Sequence, residues 1–292
     1  MTRDRWNSTC RPRKAEATDT ADLRLLVLPD LHLDRWIAAG RDPLDHLTPD
    51  DFAGVDLCIL GGDLTNEAIN RWPRVFGWLA ERVEPSKTFA FEGNHDYYFA
   101  SIDDRGRHAE IAAAHGVGYA QMGEIVRGDH RFLCTTLWTN FELHGDPRGA
   151  MVAAERLMND YTMIRAATDD HSRLRPEHTA RIHVRHRAWL EAKLTEDFDG
   201  ETTVVTHHAP HRSCVPPAVA NGPAYASDLS KMIEQYRPAR WLYGHTHIPH
   251  RTTVGVTDLR CCSVGYPYED SRGRLPSRQD VIVLPQPHRR SS

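Results

Sequence analysis

One pattern, met five times, constrains this chain more than any other. A run of four to six apolar or β-favouring residues ends in a turn that carries a carboxylate, amide or imidazole. It reads LRLLVLPD at 23–30, DLCILGGD at 56–63, KTFAFEGNHD at 87–96, TTVVTHHAP at 202–210 and RWLYGHTH at 240–247. Continuous apolar runs of this length suit strands buried on both faces, because a strand with one wet face would alternate.

The segments between the runs carry helical periodicity. One helix is expected over about 67–83, with Pro73 breaking or kinking it early, and a second over about 101–116, stopped at Gly116. A third, rich in arginine and histidine, is expected from Pro176 past Trp189 to Leu194. The fourth, ASDLSKMIEQYR, would open on a Ser227 cap and stop before Pro238. Strands alternating with helices imply layered α/β architecture. Residues 117–138 and 250–284 look like successive strands, so the sheets should be mixed. Residues 1–22 are polar and aperiodic and read as a flexible arm, 285–292 as a polar tail, and 23–284 as one domain.

Bulk properties narrow the partners. The formal charge of the 292 residues is -4, which gives no general reason to expect nucleic acid or an anionic membrane. No segment approaches the ~20 apolar residues that cross a bilayer. The polar start lacks the apolar core of a secretory signal, and the six cysteines show no C-x-x-C spacing. A cytoplasmic protein is expected.

In an open α/β sheet, ligands bind outside the carboxyl ends of the strands. Those ends are where Asp30 and His32, Asp63, Asn94 with His95 and Asp96, His207 and His208, and His245 and His247 fall. Taken singly, each motif is weak: a D-x-H triplet is common, and G-G-D at a strand end is more often a turn. G-H-T-H is stronger, because alternate residues of an extended chain share a face. Five segments converging on one rim make a site.

In this order, PDLH, GGDLTN, GNHD, THHAP and GHTH, the chain resembles the calcineurin-like metallophosphoesterase superfamily, from Asp30 to His247. The resemblance implies a four-layer αββα sandwich with two mixed β-sheets. It also implies a centre of two divalent or mixed-valence cations, Mn, Fe, Zn or Co. Asp30, His32 and His247 would bind the first cation, and Asn94, His207 and His245 the second, with Asp63 bridging. THHAP offers two histidines, and the spacing to its proline favours His207 over His208. His95 would stand off the metals, near the scissile bond, with Asp96 orienting it.

Such a centre suits phosphate-ester hydrolysis. Two cations about 3.5–4 Å apart clamp a phosphoryl group and acidify a water held between them into the in-line nucleophile. A protonated His95 would serve the leaving oxygen, worth about 10²–10⁴ in rate. The expected substrate is a small phosphomonoester or phosphodiester. A nuclease of the same superfamily is the first alternative, favoured only by Arg181, Arg185 and Arg187 on the basic helix, and a non-catalytic scaffold is the second. His183 and His186 share a face of that helix and are read as part of a solvated basic surface. Tyr97 and Tyr98 could wall the pocket or pack. Trp138, Asn140, His144 and His211 are candidates for leaving-group contacts, whereas Gly265-Tyr266-Pro267 could approach the site but is read as a strand end.

Overall fold

The computed structural model describes residues 22–167, 170–217, 219, 221–269 and 280–285. Residues 1–21 of the expected arm and 286–292 of the expected tail lie outside them. In chain order the strands are β1 (Leu23–Val27), β2 (Leu57–Gly61), β3 (Thr88–Phe91), β4 (Gly118–Tyr119), β5 (Gly123–Arg127) and β6 (His130–Thr135). They continue as β7 (Arg165–Ala167), β8 (Asp170–Arg173), β9 (Glu201–Thr206), β10 (Arg240–Tyr243), β11 (Arg251–Val254), β12 (Thr257–Cys261) and β13 (Val281–Leu284). The helices are α1 (Leu33–Ala38), α2 (Pro49–Ala53), α3 (Ala68–Ala80), α4 (Arg105–Ala114), α5 (Pro147–Leu157), α6 (Asp160–Met163), α7 (Pro176–Thr195) and α8 (Ser230–Tyr236).

Two mixed sheets carry the architecture, in the orders β13-β1-β2-β3-β4 and β11-β12-β10-β9-β6-β5. Within the first, β1 through β4 run parallel and β13 closes the edge antiparallel to β1. In the second, β6, β9, β10 and β12 run parallel, flanked by antiparallel β5 and β11. Alternation along the strands shows how they stack. Leu25 and Val27 of β1 share one apolar cluster with Phe132, Val205 and Leu242 of the other sheet. Leu26, one residue out of phase, packs instead with Trp36 of α1 and Trp72, Phe76 and Leu79 of α3. On the far side, Leu133, Val204 and Trp241 pack with Leu190 of α7 and Ile233 of α8. Strands buried on both faces thus give helix, sheet, sheet and helix layers, as the apolar runs require. Among the described residues no helix is long and apolar enough to cross a membrane.

Local expectations fared unevenly. Helix α3 passes through Pro73 without ending. The lost hydrogen bond is offset by a buried stripe of Trp72, Val75, Phe76 and Leu79. Helix α4 starts four residues later than the periodicity suggested, after a turn whose Ser101 amide donates to Asp104. Ser227 does not cap α8: the helix begins at Ser230, and the Ser227 hydroxyl accepts from the Asn140 amide instead. Helix α5 was not anticipated, although Asp146 before Pro147 is an N-cap and N1 signature, and Asp146 does accept from the Gly149 amide. The largest departure concerns His183 and His186. Both are buried, the first donating to the Trp138 carbonyl at 3.2 Å, so they are not part of a solvated face.

Candidate metal centre

All five apolar strands that open the motifs are parallel members of the two sheets, so their carboxyl ends share a rim. The chain turns there through left-handed backbone at Asp30 (φ 58°), His32 (39°), Asp63 (54°), His245 (64°) and His247 (50°). Outside glycine this region is adopted mostly by Asn, Asp and His. The rim is also crowded. A Cβ on Gly62, itself at φ 88°, would lie 2.5 Å from the Gly93 nitrogen and 2.8 Å from Nδ1 of His207. Only glycine lets the β2 and β3 turns approach this closely.

The polar side chains named from the sequence meet here. Oδ2 of Asp63 lies 3.4 Å from Nε2 of His207 and 3.8 Å from Nε2 of His32, two residues from different sheets. Nε2 of His247 is 3.2 Å from Oδ1 of Asp30 and 3.3 Å from Nε2 of His32. Nε2 of His207 is 3.0 Å from Oδ1 of Asn94. Two sets of potential ligand atoms result: Asp30, His32 and His247 in one, and Asp63, His207 and His245 in the other, each within 4.8 Å. A third such set, His32, Asp63 and His95, overlaps both.

The donor atoms suit cations. Oxygen and imidazole nitrogen without thiolate fit Mn, Fe, Zn or Co. Nε2 of His245 is buried without a hydrogen-bond partner among the described residues, an expensive state for a group that nothing binds. Oδ2 of Asp30 is committed, accepting from the His245 amide at 2.9 Å and the Ser263 hydroxyl at 2.6 Å.

Charge balance points the same way. Burial would raise the Asp30 and Asp63 carboxyls, yet neighbouring histidines, His247 for the first and His207 for the second, hold both below the usual carboxylate range. Burial would likewise lower the histidines, but Asp30 lifts His247 to about 10 and Asp63 lifts His207 to about 9. His245 is pushed down to about 3 by burial and by His207, and His32 goes down by burial and by His95. The lowered carboxyls and the raised histidines thus offset one another's charge.

Several supporting residues escaped sequence reasoning. Asn66, the last residue of GGDLTN, holds the His95 ring, its Oδ1 2.9 Å from Nδ1. Asp96, expected in that role, does not make this contact. Its carboxylate accepts from the amides of Asp63 (2.7 Å), Gly93 (2.9 Å) and Leu64 (3.2 Å) and from the Trp72 indole (2.9 Å), tying the β2 and β3 turns together. Buried Asp160 accepts from the Asn94 amide group and from the Tyr98 hydroxyl, both at 2.8 Å. Tyr98 stacks on His95 with centroids 4.2 Å apart, so it walls the site, while Tyr97 is buried in packing. Glu269 accepts from Nδ1 of His247 at 2.8 Å, and Tyr266 stacks on His32 at 4.3 Å. The segment read as a plain strand end therefore reaches the centre. The signal was faint: Glu269 and Asp160 sit in no motif, and their carboxylates lie far along the chain from the residues they orient.

The remaining candidates do not reach it directly. His208 turns to the Thr136 carbonyl, leaving His207 in the cluster. Trp138 touches His208 at 5.0 Å, Asn140 bonds Glu142, and His211 caps its own turn at Ser213. His144 lies beside Gly222.

Comparison with known proteins bears on the family and the fold. The family profile described as calcineurin-like phosphoesterase matches residues 23–249. An uncharacterized protein of Acanthamoeba polyphaga mimivirus is 24% identical over 209 residues, 65% of this chain and 72% of that protein. The phosphopantetheinyl hydrolase of Mycobacterium tuberculosis superposes with a TM-score of 0.67 at 18% identity, covering 94% of this chain and 100% of that one. A dimetal phosphatase from Danio rerio gives 0.44 at 12% identity over 82% of this chain and 87% of its own. At 18% identity the Mycobacterium tuberculosis structure speaks for the fold alone.

Proposed function

Given that this chain belongs to the calcineurin-like phosphoesterase family, we propose that it hydrolyses a small phosphate ester, monoester or diester, by in-line attack at a centre of two cations. The observation that carries this reading is the position of Asp63, whose Oδ2 stands between His32 and His207 and so between the two donor sets. Asp30, His32 and His247 would hold one cation and Asn94, His207 and His245 the other, with Asp63 shared. Bound there, the cations supply Lewis-acid charge for the phosphoryl oxygens and an acidified water at neutral pH.

The protein's own part centres on His95. Nδ1 donates to Asn66, which leaves Nε2, 3.9 Å from Asp63, to carry the proton that a leaving oxygen needs. Its side chain is 17% exposed against 2% for Asp63, so a substrate arriving from solvent can meet it. Stacking on Tyr98 fixes the ring plane. Glu269 on His247 and the Gly61 carbonyl on His207 (3.1 Å) hold Nδ1 of each ring, which turns Nε2 toward the cluster. Beside His245, Tyr225 stacks at 4.8 Å and borders an apolar hollow of about 160 Å³ with Val215 and Ile248, room for a compact leaving group rather than a polymer.

The test is a panel of phosphomonoesters, phosphodiesters, cyclic nucleotides and phosphopantetheinyl esters, run with added Mn on wild type and Asp63→Ala. Turnover that vanishes in the variant supports the reading. A wild type inert toward p-nitrophenyl phosphate and bis-p-nitrophenyl phosphate, yet holding metal, would make the chain a binding scaffold.

A further inference from the structure

Helix α7 presents positions 178, 181, 182, 185 and 186 on one face, the spacing of a helical stripe. That stripe lines a cavity of about 520 Å³, closed on other sides by Tyr97, Trp138, Ile102 and the start of α4. The volume is that of a small-molecule site. None of the residues assigned to the metal centre lines it.

Its charge is unbalanced. Arg105, Arg181 and Arg185 line the cavity, and Asp103 is the one carboxylate among the lining residues. None of the three arginines makes an ion pair with a described residue, in contrast to Arg187 nearby, which pairs with Glu191. Two of the placements are unfavourable in themselves. Arg105 is the first residue of α4, where the helix dipole disfavours a cation. Arg181 and Arg185 stand four apart on α7, where like charges repel.

A second, independent sign comes from His186. It lines the same cavity at 2% exposure, and neither ring nitrogen has a hydrogen-bond partner among the described residues. Buried polar groups are nearly always satisfied, and an orphan in a cavity wall calls for a ligand atom. Burial, together with Arg105, holds this ring neutral, so one nitrogen is left as an N–H donor. Apart from His178, whose Nδ1 accepts from the Arg175 amide, the rest of the lining, Tyr97, Ile102, Trp138, Ala166, Ile182 and Val184, is aromatic or aliphatic.

We propose that this cavity binds an amphipathic organic oxyanion at a place separate from the metal centre. The phosphate, sulfonate or carboxylate head would sit among Arg105, Arg181 and Arg185 within reach of His186, with an aromatic or aliphatic body against Tyr97, Trp138 and Ile182. Guanidinium groups meet such heads with paired donors, and the apolar floor supplies the area that a bare inorganic ion could not use.

The probe is 8-anilinonaphthalene-1-sulfonate, titrated by fluorescence into the metal-loaded full chain. One saturable site is expected, weakened by about ten-fold or more in Arg181→Glu/Arg185→Glu. The uncharged analogue N-phenyl-1-naphthylamine should bind wild type more weakly by a similar factor. If the double charge reversal folds poorly, Arg181→Gln/Arg185→Gln should still weaken binding by about three-fold. Asp63→Asn should leave probe affinity unchanged, and the arginine variants should keep their metal content and any phosphoesterase turnover. Equal affinity in wild type and charge-reversed protein would overturn the proposal, as would loss of binding in Asp63→Asn. Because binding is read without turnover, its failure is distinguishable from failure of the hydrolase reading.

Discussion

The two donor sets at the rim look alike in outline and differ in charge. The set around Asp30 has a carboxylate of its own, and a second carboxylate, Glu269, backs its His247. The set of Asp63, His207 and His245 is joined by the neutral amide of Asn94, 3.0 Å from His207, and under the proposed reading it would share its one carboxylate, Asp63, with its neighbour. Its supporting carboxylate, Asp160, touches an amide and a phenol rather than an imidazole. More anionic charge on one side should favour the more highly charged or more tightly held cation there, while the other side exchanges more readily. The contrast arises from topology. One sheet delivers Asp30, His32, Asp63 and Asn94 and the other His207, His245 and His247, so the first donor set borrows one histidine and the second borrows one amide.

The most damaging way to break the contrast is to remove what both sides share. Asp63→Ala should lose both equivalents of metal by elemental analysis and all turnover of p-nitrophenyl phosphate, whereas Asp30→Asn should strip one equivalent. Retention of both metals in Asp63→Ala would contradict the bridging assignment. Next in size is His95→Gln, expected under the proposed reading to lower kcat by about 10²–10⁴-fold while leaving metal content intact, since the ring would serve the leaving oxygen. Parallel loss of metal would place His95 among the ligands instead. A sharper probe uses the supporting carboxylates: Glu269→Ala should weaken one equivalent and Asp160→Ala the other, each by about 10–100-fold in chelator competition. Both variants acting on the same equivalent would dissolve the distinction between the sides.

The smallest effect is in pH. In metal-free protein, His247 and His207 are raised to about 10 and about 9, above an unfolded value near ~6.5. Groups raised on folding stabilise fully below their unfolded pKa and cease to do so as pH climbs through the folded one. Thermal stability of the metal-free chain should therefore decline between about pH 6.5 and 10. Metal affinity should rise over the same interval, as fewer protons must leave. A flat melting profile across that interval would argue against proton-filled histidines.

Much of the rim was legible because ligand and turn coincide: an apolar strand must end somewhere, and its last polar residues announce themselves. The layering was legible too, since runs such as LRLLV and DLCIL have no wet face. What stayed hidden depends on contacts between distant segments. Asp160 orients Asn94 across 66 residues, and nothing local marks it. His183 and His186 carried the periodicity of a surface face among arginines, yet both rings are buried, the first against the Trp138 carbonyl and the second in a cavity wall, and periodicity cannot say which side of a polar helix meets the protein. Asp96 was misplaced for a related reason: adjacency to His95 suggested partnership, whereas the turn aims its carboxylate at backbone amides instead.

The left-handed residues of the rim have an evolutionary corollary. Aspartate and histidine serve there twice, as donors and as residues that tolerate positive φ. A gene copy released from selection for the reaction would not decay evenly at these sites. Asparagine and glycine keep the turn while discarding the carboxylate charge or the imidazole nitrogen, whereas valine or isoleucine would break the backbone first. Inactive descendants of this chain should thus be recognisable by glycine or asparagine written over the positions of Asp30, Asp63 and His245.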